Sequence, residues 1–239
     1  MNYRKGVRAL GLSFVAVLGL MAFMAGGAQA NWLVLHEGKI VEPEVTLSIQ
    51  KHPGSAHFLL LVPAQNLEIL CKNVAADPTA PPVLLAKSTI AHGHVIYTEC
   101  ETFVKKVLSA GCKPAEPILA GGLAEVLLHN SKNYIKFKPL TGKPFTTIVF
   151  NPAKCALAEE NEVTGELVTE CGKLEPANTF AFKDCKEHEA THLLREAPEA
   201  LFPTAVLKFG LNQALLHGIA DTLINEPALY KGKLWGGHV

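Results

Sequence analysis

The apolar residues of this chain come in short segments that are separated by proline, glycine and polar turns. Segments such as VTLSIQ (45–50), HFLLLV (57–62) and FTTIVF (145–150) are alternating or wholly apolar over the length of a β-strand. Three prolines within residues 76–82 exclude a helix or a central strand there. The pattern predicts an all-β fold, either a β-sandwich or a barrel-like stack.

One segment of the chain favours a helix instead of a strand. Residues 185–197 are rich in helix formers and contain neither glycine nor proline. Asp184 can cap a helix at its start, Glu187 is suited to a capping box, and Pro198 would end it. We therefore expect one short helix over residues 185–197.

The N-terminus has the features of a secretory leader. Arg4, Lys5 and Arg8 precede the apolar run 9–24, and the small residues of Ala28-Gln29-Ala30 follow it. This order predicts a cleaved signal peptide over residues 1–30 and a single exported domain over residues 31–239. A membrane anchor is the alternative, and it is disfavoured because the apolar run is short for a spanning helix. No stable membrane insertion is expected once the leader is removed.

Charge excludes one class of partner. The whole chain has 22 basic and 22 acidic residues, and the leader removes three of the basic ones, so the mature chain carries 19 − 22 = −3. A dispersed charge of this size gives no basic patch, and we expect no nucleic-acid binding. An envelope polysaccharide, another protein and a small apolar molecule all stay open as partners.

Six cysteines in an exported chain predict three disulfides. Spacing favours Cys100–Cys112 and Cys171–Cys185 as local pairs, which leaves Cys71–Cys155 as a long-range bridge, although connectivity cannot be fixed from spacing. Zinc bound by four cysteines is disfavoured, because the chain has no C-x2-C pair.

The segment HEATH (188–192) fits the H-E-x-x-H pattern of zinc proteases. On a helix, His188 and His192 would share one face and could bind zinc, with Glu189 as the general base. A third ligand is missing from the motif, and Glu226 is a poor substitute because Pro227 follows it. A zinc-dependent hydrolase is therefore the alternative to a non-enzymatic protein.

A weaker metal candidate lies at residues 92–99. His92, His94 and Glu99 match the core H-x-H-x4-E of cupin metal sites, and His92 and His94 would share one face of a strand. The glycines that flank the cupin motif are replaced by Ala86 and Lys106. A solvated hairpin, with its turn at residues 91–93, explains these histidines equally well.

Several longer stretches together resemble a family of exported bacterial proteins of unknown function, β-rich and containing cysteines. The stretches are GAQANWLV (27–34), NLEILCKNV (66–74), ILAGGLAEVLLHNSKNYIKF (118–137), NPAKCALAEENEVTGELVTEC (151–171) and the tail from LKFGLNQALLHGIADTL to GKLWG. The resemblance implies a secreted β-rich fold and transfers no catalytic residue.

The sequence as a whole favours a secreted, non-enzymatic binding or structural protein of the cell envelope or exterior, with no cofactor. Trp32 and Trp235, near the two ends of the mature chain, are expected to pack at the ends of the fold, and stacking on sugars is the alternative.

Overall fold

The computed structural model describes residues 29–130, 132–172, 191–197 and 199–238. These residues form eighteen strands and three short turns of 3-10 helix, Pro63–Gln65, Ala110–Cys112 and Glu199–Leu201, which confirms the all-β prediction. The strands are β1 (Gln29–His36), β2 (Lys39–Val41), β3 (Val45–Lys51), β4 (Phe58–Val62), β5 (Leu67–Ala76), β6 (Val83–Leu84), β7 (Ile90–Val104), β8 (Val107–Leu108), β9 (Ile118–His129), β10 (Lys132–Lys138), β11 (Thr146–Val149), β12 (Glu160–Gly165), β13 (Leu167–Gly172), β14 (Thr191–Glu196), β15 (Leu207–Phe209), β16 (Asn212–His217), β17 (Ile219–Glu226) and β18 (Leu234–His238).

Eight of these strands close into a barrel. The order around the ring is β3, β5, β7, β9, β10, β13, β14 and β17, each antiparallel to the next, and β17 pairs back to β3. The short strand β6 fills the gap between β3 and β7 beyond the end of β5. An eight-stranded barrel has an interior just wide enough to be filled by side chains or to hold one small ligand.

The barrel continues into a second half through its longest strands. The first residues of β5 pair with β4, and β4, β16, β15, β12 and β11 follow one another in antiparallel order. Beside β11 the wall returns to β9, where the Gly121 amide donates to the Phe145 carbonyl oxygen at 2.8 Å. Strands β5, β7 and β9 therefore extend along both halves, which accounts for the fifteen-residue length of β7.

Each half has its own apolar core. We call the half around Leu67, Ile69, Phe150 and Phe209 the disulfide half, because its buried cluster also contains both disulfides. The other half, the tryptophan half, is closed at its end by β1, β2 and β18. These end strands contribute Trp32, Val34 and Trp235 to the second buried cluster.

The predicted helix is wrong wherever its residues are described. Thr191–Glu196 forms β14, which pairs with β13 on one side and β17 on the other. Two neighbouring strands offer this segment a full set of backbone partners, and that tertiary pairing outweighs its local preference for helix. Residues 185–190 of the predicted helix lie outside the described residues.

The predicted hairpin with its turn at residues 91–93 is also wrong. Ile90–Val104 is one continuous strand, and Gly93 lies within it, opposite Gly122 of β9. A side chain at Gly93 would collide with the backbone of Pro82, so glycine there marks a close approach of two segments instead of a turn.

Ion pairs stabilise one side of the wall, on β9, β10, β13 and β14. They join neighbouring strands at Lys138–Glu125 (3.0 Å) and Arg195–Glu170 (2.8 Å), and Lys136 reaches Glu166 beside β13 at 2.7 Å. Pairing of this kind compensates charges that the strands keep partly covered.

Among the described residues, no helix has the length and apolar character needed to cross a membrane.

Candidate functional site: an apolar cavity inside the barrel

The structure does not bring the residues of the predicted cupin-like site together. His92 and His94 lie on the outer face of β7, and the Nδ1 atom of His94 is 3.7 Å from a carboxylate oxygen of Asp77. Glu99 is exposed and accepts a hydrogen bond from the Asn73 side chain at 2.7 Å. In the described part of the chain no three His, Cys, Asp or Glu residues are grouped so that they could hold a metal ion.

The carboxylate of Asp77 forms hydrogen bonds within its own turn. It accepts hydrogen bonds from the Thr79 amide at 2.9 Å and the Thr79 hydroxyl at 2.8 Å. These bonds, together with the nearby His94, hold the pKa of Asp77 below its usual range. The carboxylate therefore stabilises the loop before β6 and anchors His94 against the outer wall.

The zinc-protease motif is only partly within the described residues. His192 lies in β14, opposite Thr222 of β17, whereas His188 and Glu189 lie outside the described residues. Two histidines four residues apart share a face when both lie on a helix. His192 lies in a strand, so that spacing no longer predicts a shared face. The zinc hydrolase stays a prediction without structural support from this region.

The cysteines pair differently from the predicted local and long-range bridges. Cys71 bonds to Cys100, and Cys112 bonds to Cys155; Cys185 and the side chain of Cys171 lie outside what the structure describes. Cys71 and Cys100 face each other in the register of β5 and β7, with their Cα atoms 3.9 Å apart. Register, and not distance along the chain, decides this pairing.

A cavity of about 250 Å³ lies inside the barrel, between the two buried clusters. Its wall is almost wholly apolar and extends from Trp32 and Trp235 at one end to Ile148 and Leu207 in the disulfide half. Atoms that line such a space lack the contacts that a filled core would give them. The barrel therefore has interior space that the described side chains do not fill.

Small residues on the inner wall create this space. Along β9 the positions that alternate inward are Ala120, Gly122 and Ala124, and on β17 the equivalent position is Ala220. A side chain larger than alanine at Ala120, Ala124 or Ala220 would extend into the cavity. Gly122 differs, because a Cβ atom there would lie 2.5 Å from the Lys138 carbonyl oxygen and 3.0 Å from Cε1 of Phe145, so glycine marks a close approach.

The two tryptophans close one end of the cavity. Their ring centroids are 6.0 Å apart, and Trp32 and Trp235 are 2% and 1% exposed. The expectation that they pack at an end of the fold agrees with this geometry. Aromatic pairs of this kind give a large, rigid apolar surface against which a ligand can pack.

A polar margin lies where the wall is interrupted at Gly218, between β16 and β17. Glu196 lines the cavity, and its carboxylate oxygen is 3.3 Å from Nδ1 of His217, whose side chain is 52% exposed. This ion pair connects the inner wall with the outer surface.

Sequence reasoning missed the cavity, although a signal was present. In ILAGGLAEV (118–126) every second residue from 120 to 124 is alanine or glycine, and IAHGHV (90–95) has Ala91 and Gly93 at the same spacing. Small residues at strand period, on strands that are otherwise apolar inside, indicate unfilled space once the strands are known to face one another.

No protein-family model, curated protein or solved structure matches the chain.

Proposed function

We propose that this protein is a non-enzymatic binding protein that holds one small apolar molecule inside its barrel. The supporting observation is the apolar cavity of about 250 Å³ between Trp32, Trp235 and the disulfide half. An engineered cavity of roughly 150 Å³ is enough to bind benzene, and native ligand pockets begin at roughly 300 Å³. The cavity therefore suits a ligand of one or two fused rings, or a short branched hydrocarbon chain.

Burial of apolar surface supplies the affinity in this proposal. Each square ångström of ligand surface removed from water contributes about 25 cal/mol, and filling a preformed void adds contacts at no cost in rearranging the wall. The inward Ala91, Ala120 and Ala124 give the ligand its room.

We propose further that binding takes place outside the cytoplasm, after removal of residues 1–30. Two disulfides support an oxidising compartment. The proposed cleavage would leave Asn31 as the first residue, inside β1. Mass measurement of the protein recovered from culture medium and periplasm tests this, and a full-length chain found only in the cytoplasm would contradict it.

The binding test uses 1-aminonaphthalene, an uncharged two-ring dye whose fluorescence moves to shorter wavelength in apolar surroundings. We expect the full chain without its leader to bind one equivalent of dye. Ala120→Leu places a larger side chain in the cavity and should weaken binding at least tenfold, while overpacking lowers the free energy of unfolding by about 1–3 kcal/mol.

Ala75→Leu is the matched control, because Ala75 is an exposed residue on the outer face of β5. It adds the same atoms to the same barrel without entering the cavity, so dye affinity should not change. Equal loss in both variants, or no loss in Ala120→Leu, would contradict binding inside the barrel. No binding by the unchanged protein would contradict the proposal outright.

A further inference from the structure

Tyr97 is the one phenol on the wall of the cavity within the part of the chain that the structure describes. It lies in β7 where the two halves of the barrel meet, opposite Val74 of β5 and Ile118 of β9. Burial raises the pKa of Tyr97 to about 12. The side chain is therefore a neutral hydroxyl group at every physiological pH and can donate a hydrogen bond.

The ring of Tyr97 is held in place by its neighbours. Phe58 packs against it edge to face, with ring centroids 5.7 Å apart and planes at 67°. Gly218 makes this possible, since a Cβ atom at that position would collide with the Phe58 ring. A ring fixed in this way can direct its hydroxyl group at a bound molecule without losing side-chain freedom on binding.

The hydroxyl group of Tyr97 makes no hydrogen bond among the described residues. The ring of Tyr97 contacts the ring of Phe58. A buried hydroxyl group without a partner is a cost to the folded state. Trp32 differs, because its Nε1 atom is also unpartnered but has no accessible surface that a ligand could touch. Tyr97, by contrast, is only partly covered by protein atoms and lines the cavity.

We propose that the ligand carries an uncharged carbonyl oxygen and that this oxygen accepts a hydrogen bond from the Tyr97 hydroxyl group. This inference rests on the proposed function, and it narrows the ligand to an apolar ketone, aldehyde or ester. A carboxylate is disfavoured, because Phe58 and Ile118 beside Tyr97 carry no charge, and Arg195, which also lines the cavity, is paired with Glu170 at 2.8 Å. A plain hydrocarbon would fit but would leave the hydroxyl group unpaired.

The test compares two probes of nearly the same shape, 2-acetylnaphthalene and 2-ethylnaphthalene. Their dissociation constants are measured by displacement of 1-aminonaphthalene from the unchanged protein and from Tyr97→Phe. We expect the preference for the ketone over the hydrocarbon to be about three- to tenfold greater in the unchanged protein than in Tyr97→Phe, the fold-change that one buried hydrogen bond supplies. The infrared carbonyl stretch of the bound ketone should move to lower frequency only when Tyr97 is present.

Two outcomes separate this inference from the proposed function. If both probes bind, and Tyr97→Phe changes neither the preference nor the carbonyl stretch, the Tyr97 hydrogen bond is refuted and the cavity proposal stands. If neither probe nor the dye binds the unchanged protein, both proposals fall. Tyr134→Phe is the control, because Tyr134 belongs to a separate cluster with Val168 and Ala197 outside the cavity, and it should leave the preference unaltered.

Discussion

The disulfide half and the tryptophan half share three long strands, yet they are stabilised in different ways. The disulfide half is filled by large side chains such as Phe150 and Phe209, and two covalent links hold its strands and turns together. The tryptophan half has no disulfide among its described residues, and two indoles close its end. Between them lies the space that neither core fills.

The difference shows how one barrel can contain both a firm core and a cavity. Cross-links and large rings stabilise one end independently of what occupies the interior. The described residues of the other end form no disulfide, and its inner wall carries small residues such as Ala91 and Ala124. Loss of packing in the tryptophan half should therefore affect stability and ligand binding together, whereas loss of the Cys112–Cys155 link, neither of whose cysteines lines the cavity, should affect stability alone.

Trp235→Ala is expected to have the largest effect. Trp235 is 1% exposed and packs on Trp32, so its removal should lower the free energy of unfolding by about 5 kcal/mol, at the upper end of the range for such truncations. Dye affinity should fall as well, because the end of the cavity opens. Urea unfolding and dye titration measure the two effects. An unchanged dye affinity in a folded variant would show that the tryptophans do not bound the ligand site.

Removal of the Cys112–Cys155 link should cost about 4 kcal/mol, from the loop entropy of a separation of 43 residues. Cys112→Ala combined with Cys155→Ala is the variant, and urea unfolding is the measurement. Neither cysteine lines the cavity, so dye affinity at low temperature should be retained. A parallel loss of binding would contradict the separation of roles between the two halves.

Strand periodicity was sufficient to predict the fold class, because the alternation of residues such as those in 45–50 depends only on the strand itself. Closure of the barrel depends on pairings between remote strands, as between β3 and β17, and no local pattern specifies them. The same reason accounts for the Cys71–Cys100 bridge and for β14, since both are decided by partners distant in the chain.

The cavity was hidden for a related reason. The small residues at 120, 122 and 124 indicate a cavity only when it is known that this face of the strand points inward. It must also be known that the opposite wall does not fill the space. Tyr97 could not be recognised from sequence either. Its neutral hydroxyl group matters because Phe58 and Gly218, which lie far from it in the chain, hold the ring against the cavity.

Glu116→Gln tests how the long strand β7 is fixed where the halves meet. β7 presents Tyr97 and then Cys100 inward, three residues apart, and Glu99 adopts a positive φ of 55° between them. The Glu116 carboxylate accepts hydrogen bonds from the Glu99 amide at 2.9 Å and the Cys100 amide at 2.8 Å. Removal of the charge should lower the free energy of unfolding by about 1–2 kcal/mol at neutral pH.

The effect of Glu116 depends on pH in a defined direction. Burial opposes ionisation of this carboxyl group, but the two amide donors and Lys113 hold its pKa below the usual value. A lowered pKa in the folded state contributes stability above the ordinary pKa of glutamate, and this contribution is lost as the pH falls through the lowered value. The difference between the unchanged protein and Glu116→Gln should therefore shrink in acid. A difference that is constant with pH would refute the role of the charge.

Thr102→Val should have the smallest effect and the opposite sign. Thr102 lies in the disulfide half, is 1% exposed, and its Oγ1 atom has no hydrogen-bond partner among the described residues. Valine keeps its shape and removes the unpaired hydroxyl group, so the free energy of unfolding should rise by about 1 kcal/mol. Thr169→Val in the tryptophan half is the matched control, because the Thr169 hydroxyl group donates to the Ile135 carbonyl oxygen at 3.3 Å, and its loss should destabilise. Urea unfolding of both variants is the measurement. If Thr102→Val lowers the free energy of unfolding as Thr169→Val does, the hydroxyl group of Thr102 is satisfied in solution, and the disulfide half is less tightly sealed than its packing indicates.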